Sequence, residues 1–185
     1  LGGLKTGALA GLKFSVNFGF DYVFEKERNY YNPYYGDATS VQGRSAIEDG
    51  RTLSYTFNQL LTWDRTFGKH HFDILAGHEN YDYSYEYLMA EKSGFPFGGL
   101  YHLAAATTLE DGTSYENHYR VESFLSRVNY DYADKYYLSG SFRRDGSSRF
   151  YQDYRWGNFW SVGASWRISQ EDFMKDIAWI NNLTL

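Results

Sequence analysis

Cysteine is absent from the 185 residues, so neither a disulfide framework nor a thiolate metal site can form. Proline is nearly absent too. Pro33 and Pro96 are the two that occur, and both fall outside the periodic segments described below, as sheets require, because proline removes a ladder hydrogen bond. Long apolar runs are missing: stretches such as 103–106 fall far short of the roughly 18 residues that mark a membrane-crossing helix. That excludes a helical span and leaves a barrel open, since barrel strands are only half apolar. Basic residues are not in excess, and a net charge of -5 gives no footprint for nucleic acid. The opening residues Leu1-Gly2-Gly3-Leu4-Lys5 have no charged region followed by an apolar one, so no signal peptide is expected there. The expectation is a chain processed, or cut from something larger.

What the chain has is rings. Aromatics make up 21% of residues, with 19 Tyr, 14 Phe and 5 Trp, while hydrophobic residues reach only 43%. A ring-rich sequence that stays polar on average suits a surface banded by rings with water on the opposite side. Between residues 12 and 24 the even positions Leu12, Phe14, Val16, Phe18, Phe20, Tyr22 and Phe24 are all apolar or aromatic. The odd positions Lys13, Ser15, Asn17, Gly19, Asp21 and Val23 are polar or small with the one exception of Val23. Period two over this length is a strand with one oily and one wet face. Similar strands are expected at 53–67, 72–87, 122–132, 136–143 and 159–169, and a seventh begins at 181–185.

Connections of unequal length join them. Long segments at 25–50 and 88–121 alternate with tight turns at 67–71 and 133–135. The loop 145–158 follows, and then a connection at 170–180 with a helical turn around Asp172-Phe173-Met174-Lys175. Short turns on one side and long loops on the other are the asymmetry of outer-membrane barrels. A soluble sandwich would also alternate, but its strands usually run about 5–6 residues, and these are expected to run longer. Rings also gather at strand ends. Tyr130, Tyr132, Tyr136 and Tyr137 flank one turn, and Phe20, Tyr22 and Phe24 with Tyr81, Tyr83, Tyr85 and Tyr87 form a second expected girdle. Lys13, Asp21, Asp64, Arg127, Asp131, Arg143 and Arg167 would point inward, into a water-filled or plugged interior. Six or seven strands cannot enclose such a lumen, and an open edge in lipid leaves backbone groups unpaired. The fold class expected is therefore all-β: part of a larger antiparallel transmembrane β-barrel.

The stretch LSRVNY at 125–130, DKYYL at 134–138 and FRRDGSSRF at 142–150, continuing through RWGNF at 155–159, SV at 161–162, WRIS at 166–169 and EDFM at 171–174, resembles the barrel of SusC/RagA-type TonB-dependent transporters. One departure is Trp160, where that pattern commonly has proline. The resemblance implies active import across the outer membrane, a barrel of about 22 strands around an N-terminal plug, and no enzymatic activity and no cofactor. The partners it implies are outer-membrane lipid, a SusD-like surface lipoprotein, and the TonB complex, contacted through a missing N-terminal part. Its implied substrate is an oligosaccharide or a peptide. All of residues 1–185 would belong to the barrel domain, with plug and barrel termini lying elsewhere. A passive porin and a structural or adhesive outer-membrane barrel are the alternatives.

Candidate contact residues follow from residue type and place. Arg143, Arg144, Asp145 and Arg149 read first as an Arg–Asp-braced strand end with a Gly-Ser loop. The alternative is a patch of donors, with Arg127, toward anionic or hydroxylated ligands. The Tyr81 to Tyr87 ladder reads first as a lipid-interface girdle, with sugar stacking as its alternative. Tyr34, Tyr35, Phe97 and Tyr101 lie at loop tips, where function concentrates; loop self-packing would equally account for them. The histidines His70, His71, His78, His102 and His118 have no ligand spacing with a carboxylate, and no GxSxG nucleophile context occurs.

Overall fold

The computed structural model describes residues 7, 9–174 and 179–185; the first residues, including Lys5, and Lys175 lie outside the described set. Among the described residues six strands form one sheet in the order β1-β2-β3-β4-β5-β6. They are β1 (Leu12–Tyr31), β2 (Arg44–Phe67), β3 (His70–Ser93), β4 (Thr108–Tyr132), β5 (Tyr136–Ser147) and β6 (Trp156–Trp166). The β4–β5 ladder is antiparallel and unslipped from Tyr132↔Tyr136 to Val121↔Ser147, and β5–β6 likewise from Tyr136↔Trp166 to Gly146↔Trp156. Tight turns set this register. Ala133 and Asp134 both take φ +58°, the left-handed pair a type I′ turn requires, and the Lys135 N–H closes the turn on the Tyr132 carbonyl at 3.0 Å. The Ala133 N–H donates to the Lys69 carbonyl at 2.7 Å, so the β2–β3 and β4–β5 turns lie side by side at one end.

The strands outrun their periodicity. β1 continues to Tyr31, β2 begins at Arg44, β3 ends at Ser93 and β4 begins at Thr108. Most of 25–50 and 88–121, expected as loops, is therefore ladder, and the connections shrink to 32–43 and 94–107. The physical reason is that both parities become polar there. Lys26 and Glu27, Glu48 and Asp49, Glu110 and Asp111 are neighbours in sequence, so alternation vanishes while backbone pairing persists. β6 ends at Trp166, short of the expected 169. The seventh strand is begun: Arg167 bridges Thr184 antiparallel, and Trp166 and Leu185 exchange backbone hydrogen bonds of 3.0 and 2.9 Å.

The chain divides into two compact units, with β1 to β4 contributing to both. Unit 1 holds Leu1–Gly19, Thr56–Tyr81 and Arg120–Leu185. One face of its sheet is apolar and exposed: Phe18 is 66% accessible, Leu138 54%, Trp160 76% and Val162 78%. Burial of such a side chain is worth roughly 1.5–3 kcal/mol, so a sheet folding in water would not leave this many out. At the turn end the same face carries a belt of rings. Trp63 and Phe72 stack at 6.3 Å, Phe72 meets Tyr130 at 5.0 Å, and Tyr132, Tyr136 and Trp166 follow at 6.4 and 6.3 Å. This is one expected girdle, less Tyr137, which points to the opposite face under the Arg167 guanidinium, 5.2 Å away.

Unit 2, Phe20–Tyr55 with Asp82–Tyr119, has a different chemistry. One face pairs Lys26 with Asp49 at 3.4 Å, Arg51 with Glu86 at 3.3 Å and His118 with Asp82 at 2.9 Å. The other is lined by tyrosines. Charges in such number have no place against hydrocarbon. Among the described residues the buried apolar side chains, Ala38, Ala46, Phe95 and Ala106, all sit in this unit, at or near its loops.

Beyond β6 come 3-10 turns at Ile168–Gln170 and Asp172–Met174, between which Glu171 is clamped. Its carboxylate accepts from the Tyr136 hydroxyl at 2.6 Å, Lys135 Nζ at 2.9 Å and Trp166 Nε1 at 3.1 Å. These donors, Tyr136 foremost, hold its carboxyl down at about 2, and the same hydrogen bond raises Lys135. A depressed carboxyl stabilises the fold above its ordinary value of 4.5, and that contribution fades as pH falls through the folded value. Amide-exchange protection of 168–174 in the full-length protein is therefore expected to hold at neutral pH and to drop between pH 4.5 and about 2. Glu171→Gln should already lack it at pH 7; equal protection in both proteins would contradict the clamp.

Candidate functional site

Strand alternation sorts the arginine-rich motif onto two faces. Arg143 points to the polar face of unit 1, where its Nε donates to both Asp145 oxygens at 2.7 and 2.9 Å, and its Nη2 reaches Ser123 at 3.2 Å and Glu79 at 3.8 Å. Arg143 and Asp145 are thus brought together as a brace, with β3, β4 and β5 all contributing. Arg127 lies on this face too, 3.2 Å from Asp73, which Asn129 also engages at 2.9 Å. Nearer the turns His71 stands 3.4 Å from both Asp64 and Asp131. The expected inward charges Asp64, Arg127, Asp131 and Arg143 therefore share one hydrated, ion-paired face. Arg144 turns the other way, with its guanidinium 4.8 Å over the Trp156 ring. Arg149 lies in the turn beyond β5, its N–H toward Ser147 Oγ at 3.4 Å.

The tyrosine ladder departs from the girdle expectation. Tyr81 shares the parity of Asp73 and Glu79 in unit 1, and within unit 2 Tyr83, Tyr85 and Tyr87 lie on the face opposite the Arg51–Glu86 and His118–Asp82 pairs. Within unit 2, Tyr83 packs on Tyr119 at 5.0 Å, Tyr85 on Tyr115 at 6.0 Å, and Tyr87 on Tyr115 at 5.1 Å. The Tyr87 hydroxyl donates to Glu48 at 2.7 Å. A groove of about 420 Å³ lies here, with Tyr87, Tyr115, Gly50 and Glu86 among its walls. Glu48, Tyr115 and Tyr119 went unread in the sequence because they lie in segments taken for loops; a two-residue period of rings and polar groups from 83 to 87 was the available signal.

The loop tips form a third group, also within unit 2. The Phe95 N–H donates to the Gln42 carbonyl at 2.8 Å, and the Gly94 N–H to Val41 at 2.9 Å, which docks loop 94–107 on loop 32–43. Phe95, only 2% accessible, is the anchor, set edge-on to Tyr30 at 5.7 Å; Tyr101 also meets Tyr30, at 4.8 Å. The Tyr34 hydroxyl accepts from the Gly98 N–H at 3.1 Å. Tyr35 and Phe97 remain well exposed. Loop self-packing thus holds Tyr101 against Tyr30 and ties Tyr34 to Gly98, while the rings of Tyr34, Tyr35, Phe97 and Tyr101 all stay exposed.

An exposed apolar face with a ring belt, a salt-bridged face behind it and adjacent tight turns at one end define a section of an antiparallel transmembrane β-barrel wall. No family model matches the chain. Relatives do. TonB-dependent receptor P39 of Formosa agariphila is 32% identical across 95% of the chain, and TonB-dependent receptor P3 of the same organism 30% across 90%. TonB-dependent receptor SusC of Bacteroides thetaiotaomicron is 27% identical across 96%. Among solved structures, the RagAB peptide transporter superposes with a TM-score of 0.80 at 26% identity, covering 87% of this chain and 18% of that one. The chain spans 17% of the length of the curated relatives it matches. By sequence and by backbone the chain is similar to part of the barrel of SusC/RagA-type TonB-dependent receptors.

Proposed function

We propose that this segment forms part of the wall of an outer-membrane importer that brings nutrients, oligosaccharides foremost, into the periplasm with energy from the TonB complex. A SusD-like lipoprotein at the extracellular mouth and a plug contributed by other parts of the protein complete the assembly. The observation carrying the reading is the likeness to SusC along nearly the whole segment. The substrate class rests on the ladder Tyr83, Tyr85 and Tyr87 with Tyr115 and Tyr119. Stacked rings offer apolar faces to sugar C–H groups, while the Glu48 carboxylate on the same face accepts from hydroxyls. A peptide substrate is the second reading, favoured by the likeness to the RagAB peptide transporter.

Two arms test this in cells expressing the whole transporter. Uptake should vanish when the TonB system is removed, and unaffected uptake would sink the import reading. Tyr87→Ala and Tyr115→Ala should each weaken oligosaccharide binding roughly threefold to tenfold, the worth of a lost ring contact. Oligosaccharide binding unchanged in both variants, with peptide uptake intact, would move the substrate class to peptides.

A further inference from the structure

Within unit 2 the face that bears the tyrosine ladder is also where carboxylates collect. Lys26 pairs with Asp49 and Arg51 with Glu86 on one side of the sheet, so strand alternation sends Glu25, Glu27 and Glu48 to the other. The Tyr87 hydroxyl donates to Glu48 there at 2.7 Å. Gly50, two residues along β2, ties Glu25 to the same place: a Cβ on it would stand 3.4 Å from the Tyr85 hydroxyl and 3.7 Å from Glu25 Cβ. Glu91 extends the set along β3, meeting Arg44 at 3.6 Å.

Cations do not follow. Among the described residues of unit 2, Lys26, Arg28, Arg51 and Lys92 have the opposite parity in their strands. Arg44 does share the face, and Asp37 at 3.2 Å and Glu91 at 3.6 Å hold it over the Tyr31 ring. Glu27 accepts from Asn29 Nδ2 at 2.8 Å. Glu25 is exposed, and no hydrogen bond or ion pair holds it among the described residues.

Rings stand beside these carboxylates. Tyr85, Tyr87 and Tyr115 pack on one another at 6.5, 6.0 and 5.1 Å, and Tyr115 is 55% accessible. A ring face attracts a cation through its quadrupole, and a carboxylate attracts it by charge. A neutral hydroxyl gains neither, and an acidic sugar is repelled. Rings and carboxylates whose neighbouring cation is already spent therefore select the sign of charge as well as shape. We propose that this face takes saccharides carrying a free amine, with the ammonium between Glu25 and Glu48 beside the Tyr85 ring and the sugar on Tyr87 and Tyr115. The proposal rests on the reading of the ladder as an oligosaccharide contact, and it adds the charge of the substrate to that reading.

The test uses the full-length transporter in detergent, with titration calorimetry at mildly acidic pH, where a sugar amine is charged. The probes are a glucosamine tetrasaccharide and its fully N-acetylated form. The amine form should bind about tenfold more tightly, the worth of charge-assisted contacts with a ring beside them. Glu25→Gln and Glu48→Gln should each bring that ratio down to about threefold or less. A misfolded barrel would lose both affinities together, so the ratio reports the site and not the fold. Raising the pH until the amine is neutral should erase the preference in the wild type. Equal binding of the two forms, or a preference untouched in both variants, would overturn the proposal and leave the oligosaccharide reading standing. If neither saccharide binds while a lysine-bearing peptide does, the proposal and the oligosaccharide reading fall together.

Discussion

Arginine introduced at Leu138 is expected to destabilise the folded barrel by about 2–4 kcal/mol, the cost of a cation at bilayer depth on a lipid-facing strand. One residue along, Ser139→Arg should cost close to nothing. Leu138 is half exposed on the apolar face, opposite Tyr130 in β4 and Ala164 in β6. Ser139 is opposite Asn129 and Gly163, on the face that already carries Arg127 and Arg143. The pair therefore separates a membrane wall from a soluble sheet with a single shift of residue. Reversible unfolding of the full-length protein from lipid vesicles, followed by tryptophan fluorescence, gives the two values. Equal costs at both positions would mean that neither face is in lipid.

Gly77→Leu should be the most damaging change on the polar face, at about 1–3 kcal/mol for overpacking. A Cβ at Gly77 would come within 2.7 Å of Leu60 Cδ2 and 3.0 Å of Leu125 Cγ. Those two leucines close over the glycine from β2 and β4 and make a small apolar contact on an otherwise hydrated surface. The intruding side chain must push both aside, and β3 is held in register by both neighbours, so it cannot yield. Gly77→Ala should show a fraction of the effect. Denaturation midpoints of the two variants check the order; Leu tolerated as well as Ala would mean the leucines do not meet there.

Much of this architecture was legible because lipid imposes a period of two. From Phe14 to Tyr22 every second residue is apolar or aromatic and the intervening ones are polar or small, and the serines 139 and 141 separate Leu138, Gly140 and Phe142 in the same way; the strands lie there. The arginine brace Arg143–Asp145 was legible for the same reason, as two residues of equal parity lie on one face. Legibility ended where lipid ends. At Lys26, Glu27, Glu48 and Asp49 both parities are polar, so no alternation marks the strand, and long ladder segments read as loops. The tyrosine ladder misled differently: Tyr81 to Tyr87 alternate as well as any lipid-facing set, and rings alone do not say which face they take. Ion pairs across strands, such as Arg51–Glu86 on the opposite parity, decide it. The loop cluster around Phe95 depended on two loops meeting, which no local pattern encodes.

The assignment of faces bears the whole account, and site-directed spin labelling reads it directly. The 185 residues contain no cysteine, so single cysteines introduced along β5 and β6 of the full-length protein report their own positions within this segment. In a reconstituted bilayer, nitroxides at 138, 142, 160 and 162 should be accessible to oxygen dissolved in lipid. Those at 139, 141, 161 and 163 should be accessible to a water-soluble nickel chelate. A reversed parity, or accessibility that does not alternate along the two strands, would contradict the barrel wall described here.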